Sequence, residues 1–160
     1  MVQNLLLSGS RQLLLDTNAF IFFLTGQEPF YSILLPIFRR VQMGQASIVA
    51  SVITESELLV APERDGNRDA IERIGDLLSE NGIFVVYVDQ RIARRAAAVR
   101  GAALREASRQ SGSGGGFKLP DAIIIATAIE TGCDVIVSRD GGWRKVTDIP
   151  VVHLDDAARA

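Results

Sequence analysis

The sequence predicts an α/β fold, with a central parallel sheet of about five strands flanked by helices on both faces. Short apolar runs of strand length recur along the 160 residues, and stretches with helical periodicity separate them. The runs are apolar at consecutive positions rather than alternate ones, which marks strands covered on both sides.

The first strand is residues 12–15, Gln-Leu-Leu-Leu, running into Asp16. Two apolar helical stretches follow at about 18–25 and 29–43, separated by Gly26-Gln27-Glu28-Pro29. Residues 47–50 are a second short strand, and residues 54–59 read as the first turns of a helix. Ile71, Ile74, Leu77 and Leu78 recur at spacings of three and four, an amphipathic helix over 67–80 ended by Asn81-Gly82. Residues 83–88, β-branched and aromatic, form the third strand, and the Ala- and Arg-rich residues 90–109 a long helix. Residues 111–116, Ser-Gly-Ser-Gly-Gly-Gly, have the composition of a flexible loop. Pro120 suits the first turn of a helix over about 120–131, with Gly132 as its stop. Residues 135–137 and 151–154 complete the strands, and the tail 155–160 is expected to fray.

Apolar residues make up 48% of the chain, enough for one domain over residues 1–160 with its core at about 12–155. The formal charge of −2 gives no bulk attraction to nucleic acid, so any such binding must use local basic patches. No apolar run approaches the roughly 20 residues of a membrane span. The opening residues lack the basic segment of a signal peptide, so a cytoplasmic location without membrane contact is expected. Cys133 stands alone, which excludes an internal disulfide, and its setting reads as buried. The single histidine, His153, lies in the last strand and excludes the usual zinc clusters. Nothing around it resembles a nucleophile elbow, so oxygen ligands and hard cations are the main chemical resource.

Four acids stand where an open parallel sheet binds ligands, beyond the carboxyl ends of its strands. Asp16 follows the first strand, and Asp140 follows the fourth after Ser138-Arg139. Glu57 lies a turn into the helix after the second strand, and Asp121 opens the helix leading into the fourth. Gathered at one edge, they would repel one another unless a divalent cation neutralised them. Mg²⁺ fits such a set, and one or two ions there could activate water against a phosphodiester. Each acid also has a local reading. Asp16 could N-cap the next helix, Thr54-x-x-Glu57 matches a capping box, Asp121 complements the helix dipole, and Asp140-Gly141 could be an ordinary turn.

The ordered motifs Leu13-Leu14-Leu15-Asp16-Thr17-Asn18, Thr54-x-x-Glu57-Leu58-Leu59, the run from Lys118-Leu119-Pro120-Asp121 to Ala128, and Val137-Ser138-Arg139-Asp140-x-x-Trp143 resemble those of PIN domains. The nearest branch is the VapC-type toxins of bacterial toxin–antitoxin pairs, and the resemblance runs from about residue 12 to Asp155. It implies a PIN-like (Rossmann-like) fold, Mg²⁺- or Mn²⁺-dependent endoribonuclease activity, and metal ligation and catalysis by Asp16, Glu57, Asp121 and Asp140. Asn18 is similar to the polar residue that supports the first aspartate, and Ser138 to a Ser or Thr near the fourth acid. Glu55 competes with Glu57, but on a helix the two point roughly 200° apart. The Leu-Leu after Glu57 matches the family phase. The Gly-rich loop is longer than expected and lacks a Gly-Lys-Ser/Thr ending, so a P-loop reading is poor.

Residues 91–118 carry Arg91, Arg94, Arg95, Arg100, Arg105, Arg109 and Lys118 against one acid, Glu106. Such a stretch could track an RNA backbone or simply be a solvated helix face. Arg139 and Lys118 are the better RNA-contact candidates, since each lies within three residues of a proposed ligand. Phe20-Ile21-Phe22-Phe23-Leu24 is apolar on every helical face. This suits an antitoxin groove, a homodimer surface, or a helix buried on both sides. The alternative to a nuclease is a non-catalytic PIN-like module that binds RNA or metal for regulation. A receiver-like domain with Asp89 as phosphoacceptor lacks the acidic pair and terminal lysine it would need.

Overall fold

The computed structural model describes residues 8–109 and 115–159. The opening residues 1–7 and most of the Gly-rich connection, residues 110–114, lie outside the described residues, as does residue 160. Five parallel strands form one sheet in the order β3-β2-β1-β4-β5: β1 is Gln12–Leu15, β2 Ser47–Ser51, β3 Ile83–Val86, β4 Val135–Ser138 and β5 Val151–His153. The helices are α1 (Thr17–Thr25), α2 (Phe30–Gln42), α3 (Val52–Asp65), α4 (Arg68–Leu78), α5 (Gln90–Arg109), α6 (Leu119–Glu130) and the short α7 (Leu154–Ala157).

The unbroken apolar run of β1 is explained by what lies on each side. Leu13 and Leu15 pack with Phe20, Leu34, Phe38 and Leu77 from α1, α2 and α4. Leu14 points the other way, into a second core with Val99 of α5, Ile124 and Ile125 of α6, and Trp143. All three leucines have no exposed surface, so truncating any one would cost about 2–5 kcal/mol. In register, Leu14 lies between Val49 of β2 and Ile136 of β4, which puts β1 at the centre. From β1 the chain winds outward through β2 to β3, then returns to the far side of β1 for β4 and β5. The order therefore reverses between β1 and β4, which opens a crevice at their carboxyl ends.

Turn chemistry fixes the ends of these elements. Gly26 caps α1 in the left-handed conformation (φ 65°). Gly82 leads into β3 at φ 90°, where an added Cβ would meet Val41 Cγ1 at 2.7 Å. Among the described residues no single helix is long and apolar enough to cross a membrane; α1 and α2 reach that length and composition only as a pair, and they are bent 97° apart.

Two local expectations need correction. The helix carrying Glu57 begins at Val52, with Ser51 Oγ accepting the Ile53 amide at 3.2 Å, so Thr54 lies inside the first turn and the Thr54–Glu57 capping box does not form. The tail does not fray at residues 154–157. They form α7, with Leu154 and Ala157 buried and Asp156 paired to Arg144 at 2.8 Å.

Candidate metal centre at the carboxyl edge of the sheet

Asp16 is only 3% exposed, an unusual place for a carboxylate. It sits where β1 passes into α1, and its Oδ1 caps that helix by accepting the Asn18 amide at 2.5 Å. The Ser138 hydroxyl donates to Oδ2. Burial outweighs these bonds, and with the nearby charge of Asp140 it raises the Asp16 carboxyl to about 6. The support from Asn18 comes through its backbone; its exposed side chain makes no hydrogen bond among the described residues.

Asp140 follows β4 on the neighbouring strand. Its amide donates to Ser138 Oγ at 3.0 Å, and its Oδ1 accepts the Gly142 amide at 2.7 Å, capping a 3₁₀ turn over Gly141–Lys145. Glu57, exposed on α3, accepts a hydrogen bond from the hydroxyl of Thr17, next to Asp16 in the chain. Asp121, in the first turn of α6, is partly buried. Its carboxyl is raised first by burial, then by the charges of Asp140 and Glu57, with Lys118 acting against them. Three strand ends and the α6 N-terminus thus bring Asp16, Glu57, Asp121 and Asp140 to one edge, within electrostatic reach of one another. Among the described residues no three such side chains are arranged to hold one ion. The donor set nevertheless fits a hard divalent cation. It is all carboxylate and hydroxyl oxygen, with its buried member strained toward protonation and another destabilised by its neighbours.

The basic residues divide. Lys118 is exposed at the N-cap of α6, beside Asp121. Arg139 is engaged within the fold: its guanidinium lies 4.9 Å from the Phe30 ring centroid and 5.7 Å from that of Phe22, and its Nε is 3.1 Å from Asp155. Several α5 arginines are also occupied. Arg95 pairs with Glu130 of α6 at 2.7 Å, Arg91 lies 3.6 Å from the same carboxylate, and Arg100 donates to the Phe117 carbonyl at 3.0 Å. The acid that balances this stretch therefore comes from another helix, which the local charge count misses. Most of the aromatic cluster is core, with Phe22 stacked on Phe30 (centroids 4.5 Å apart) and Phe23 on Phe38 (3.5 Å), while Ile21 remains 38% exposed. Cys133 is buried. His153 is also buried, with Nδ1 unpartnered, and desolvation lowers its pKa. Sequence reasoning missed Thr17, whose only signal was its place between Asp16 and Asn18.

The sequence matches the model of the PIN domain family over residues 13–149. A search of curated proteins returns no match. Among solved structures, VapBC-1 from nontypeable Haemophilus influenzae is similar at a TM-score of 0.65 and 20% identity, covering 90% of this chain and 98% of that one. VapBC2 from Rickettsia felis, bound to a promoter DNA fragment, aligns at 0.64 and 14% identity, over 88% and 96% of the two chains. VapC20 of Mycobacterium tuberculosis, a sarcin–ricin-loop-cleaving toxin, aligns at 0.57 and 12% identity, over 86% and 98%. At these identities the likeness is one of fold.

Proposed function

This chain belongs to the PIN domain family, and from that premise we propose that it is a metal-dependent endoribonuclease, the toxin of a toxin–antitoxin pair. The observation that carries the reading is the electrostatic coupling of Asp121 with Asp140 and Glu57, and of Asp16 with Asp140, at the one crevice the strand order creates. A module that bound RNA alone would gain nothing from four carboxylates that repel one another.

In this reading Asp16, Glu57, Asp121 and Asp140 hold Mg²⁺ or Mn²⁺. A bound ion there supplies an activated water and neutralises charge on the scissile phosphodiester. Ser138 and the Asn18 amide hold both oxygens of Asp16 in place, and Thr17 orients Glu57. Lys118, beside Asp121, meets the incoming phosphate; Arg139 joins it only by leaving Asp155. The similar structures include toxin–antitoxin complexes, which supports an antitoxin partner, and the reading places the protein in the cytoplasm, as a homodimer.

The test is cleavage of a mixed RNA pool with Mg²⁺, Mn²⁺ or EDTA, comparing wild type with Asp121→Asn. Cutting that needs metal and disappears in the variant is expected. Folded, partner-free wild type that cuts no RNA in either metal would overturn the reading.

A further inference from the structure

A groove of about 810 Å³ leads away from the acidic edge, between the C-terminal half of α5 and the loop that follows the 3₁₀ turn. Its floor is apolar, formed by Val99, Ala102, Phe117 and Val146, and Arg105 and Lys145 stand at its border. A smaller cavity of about 160 Å³, touching Lys118, Asp121 and Asp140, shares Ala103, Phe117 and Lys145 with it. The groove therefore adjoins the candidate metal centre. Arg95 is held by Glu130 at 2.7 Å, and Glu106 lies 3.9 Å from Arg109. The side chains of Arg105, Lys145 and Asp148 make no ion pair or hydrogen bond among the described residues.

Two free cations beside an apolar floor select the ligand. A phosphate needs the cations but gains nothing from Ala102 and Phe117. A duplex keeps its bases stacked inside and offers a groove of this kind only phosphate and ribose. An unpaired nucleotide uses both, laying its base on the floor and its phosphate on the cations. Asp148, an acceptor only, repels phosphate and suits the amino edge of a base.

We propose that this groove is a subsite for an unpaired nucleotide of a single-stranded RNA substrate, with its base over Ala102 and Phe117 and its phosphate on Arg105 and Lys145. The identity of the ligand rests on the ribonuclease reading; the groove's shape and charge do not.

The experiment is fluorescence anisotropy with a labelled single-stranded RNA octamer, in EDTA so that binding is read without cleavage. Wild type is compared with Ala102→Trp, which fills the groove from an exposed helix position, and with Lys145→Ala and Arg105→Ala, which remove its cations. Circular dichroism verifies each fold. Ala102→Trp is expected to weaken binding about tenfold or more. Each cation variant should weaken it by roughly threefold to tenfold and reduce the salt slope by about one. A blunt RNA duplex should compete poorly. Unchanged affinity in the folded variants, or no octamer binding by wild type, overturns the proposal. So does a change of oligomeric state in Ala102→Trp with RNA affinity intact, which would make the groove a face between copies. Metal-dependent cleavage by wild type with unaltered binding by the variants would defeat the groove and leave the nuclease standing. Groove-dependent binding without cleavage would do the reverse.

Discussion

Ser138, the last residue of β4, and Asp16, just past the end of the neighbouring β1, share a hydrogen bond in which the Ser138 hydroxyl donates to the buried carboxylate. The same oxygen accepts the Asp140 amide, so one side chain sets the spacing of two proposed ligands. Ser138→Ala removes a bond to a charged group and leaves the Asp16 carboxylate held by the Asn18 amide at Oδ1 alone. Metal affinity and cleavage should both fall about tenfold to a hundredfold. Calorimetric titration with Mn²⁺ reads the first and RNA turnover the second; unchanged Mn²⁺ affinity would dismiss the role.

The burial of Asp16 should lower stability at neutral pH. Its folded carboxyl lies near 6, against 3.8 for an ordinary aspartate. Above 6 it is charged in both states and the folded state bears the burial cost, at most about 3 kcal/mol. Between 6 and 4 the folded state takes up the proton first, and that cost is relieved as pH falls. Asp16→Asn should therefore be more stable than wild type by roughly 1–3 kcal/mol at pH 8, with the advantage gone near pH 4. Urea unfolding at the two pH values gives the answer.

Metal should offset the same penalty. At Mg²⁺ or Mn²⁺ a hundredfold above Kd, wild type should gain about 2.7 kcal/mol, read as a rise in Tm. Asp140→Asn should lose most of that rise, and EDTA should leave the apo fold intact, because its core does not depend on the ion. A metal-induced rise equal in both proteins would place the ion elsewhere.

Much of this was legible in the sequence because strands buried on both faces need an unbroken apolar run, and β1, β2 and β4 each carry one of three residues: 13–15, 48–50 and 135–137. Asp16 and Asp140 were legible for a related reason: each follows such a run within a residue or two. What was lost depends on partners distant in sequence. Glu130 neutralises arginines some 35 residues away, and Asp155 takes up Arg139, pairings that no local charge count reveals. Ser51 and Thr54 both suit a helix start, and only where β2 ends decides between them.

Two glycine substitutions should have opposite signs. Gly82→Ala places a Cβ at positive φ and 2.7 Å from Val41, costing about 2 kcal/mol or more. Gly75→Ala, on the exposed side of α4 with open space around it, should stabilise by about 0.5–1 kcal/mol. Thermal melts of the pair are a direct check on the packing of the β3 edge.

Arg139 and Lys118 should separate by readout. Arg139→Ala loses the Phe30 contact and a half-exposed ion pair, so about 1 kcal/mol of stability should go, with the salt slope of RNA binding little changed. Lys118→Ala should leave the melt unchanged and reduce that slope by about one. An equal loss of slope in both would show that Arg139 leaves Asp155 for RNA.

The reversal of strand order between β1 and β4 also sets when the acidic edge can be completed. Asp16 and Glu57 belong to the first half of the chain, Asp121 and Asp140 to the last quarter, and β4 joins them only by sliding in beside a strand made more than a hundred residues earlier. A nascent chain still short of residue 138 has neither the fourth acid nor the hydroxyl that fixes the first. The order of synthesis therefore delays the acidic edge, which cannot be complete before β4 has left the ribosome to pair with β1.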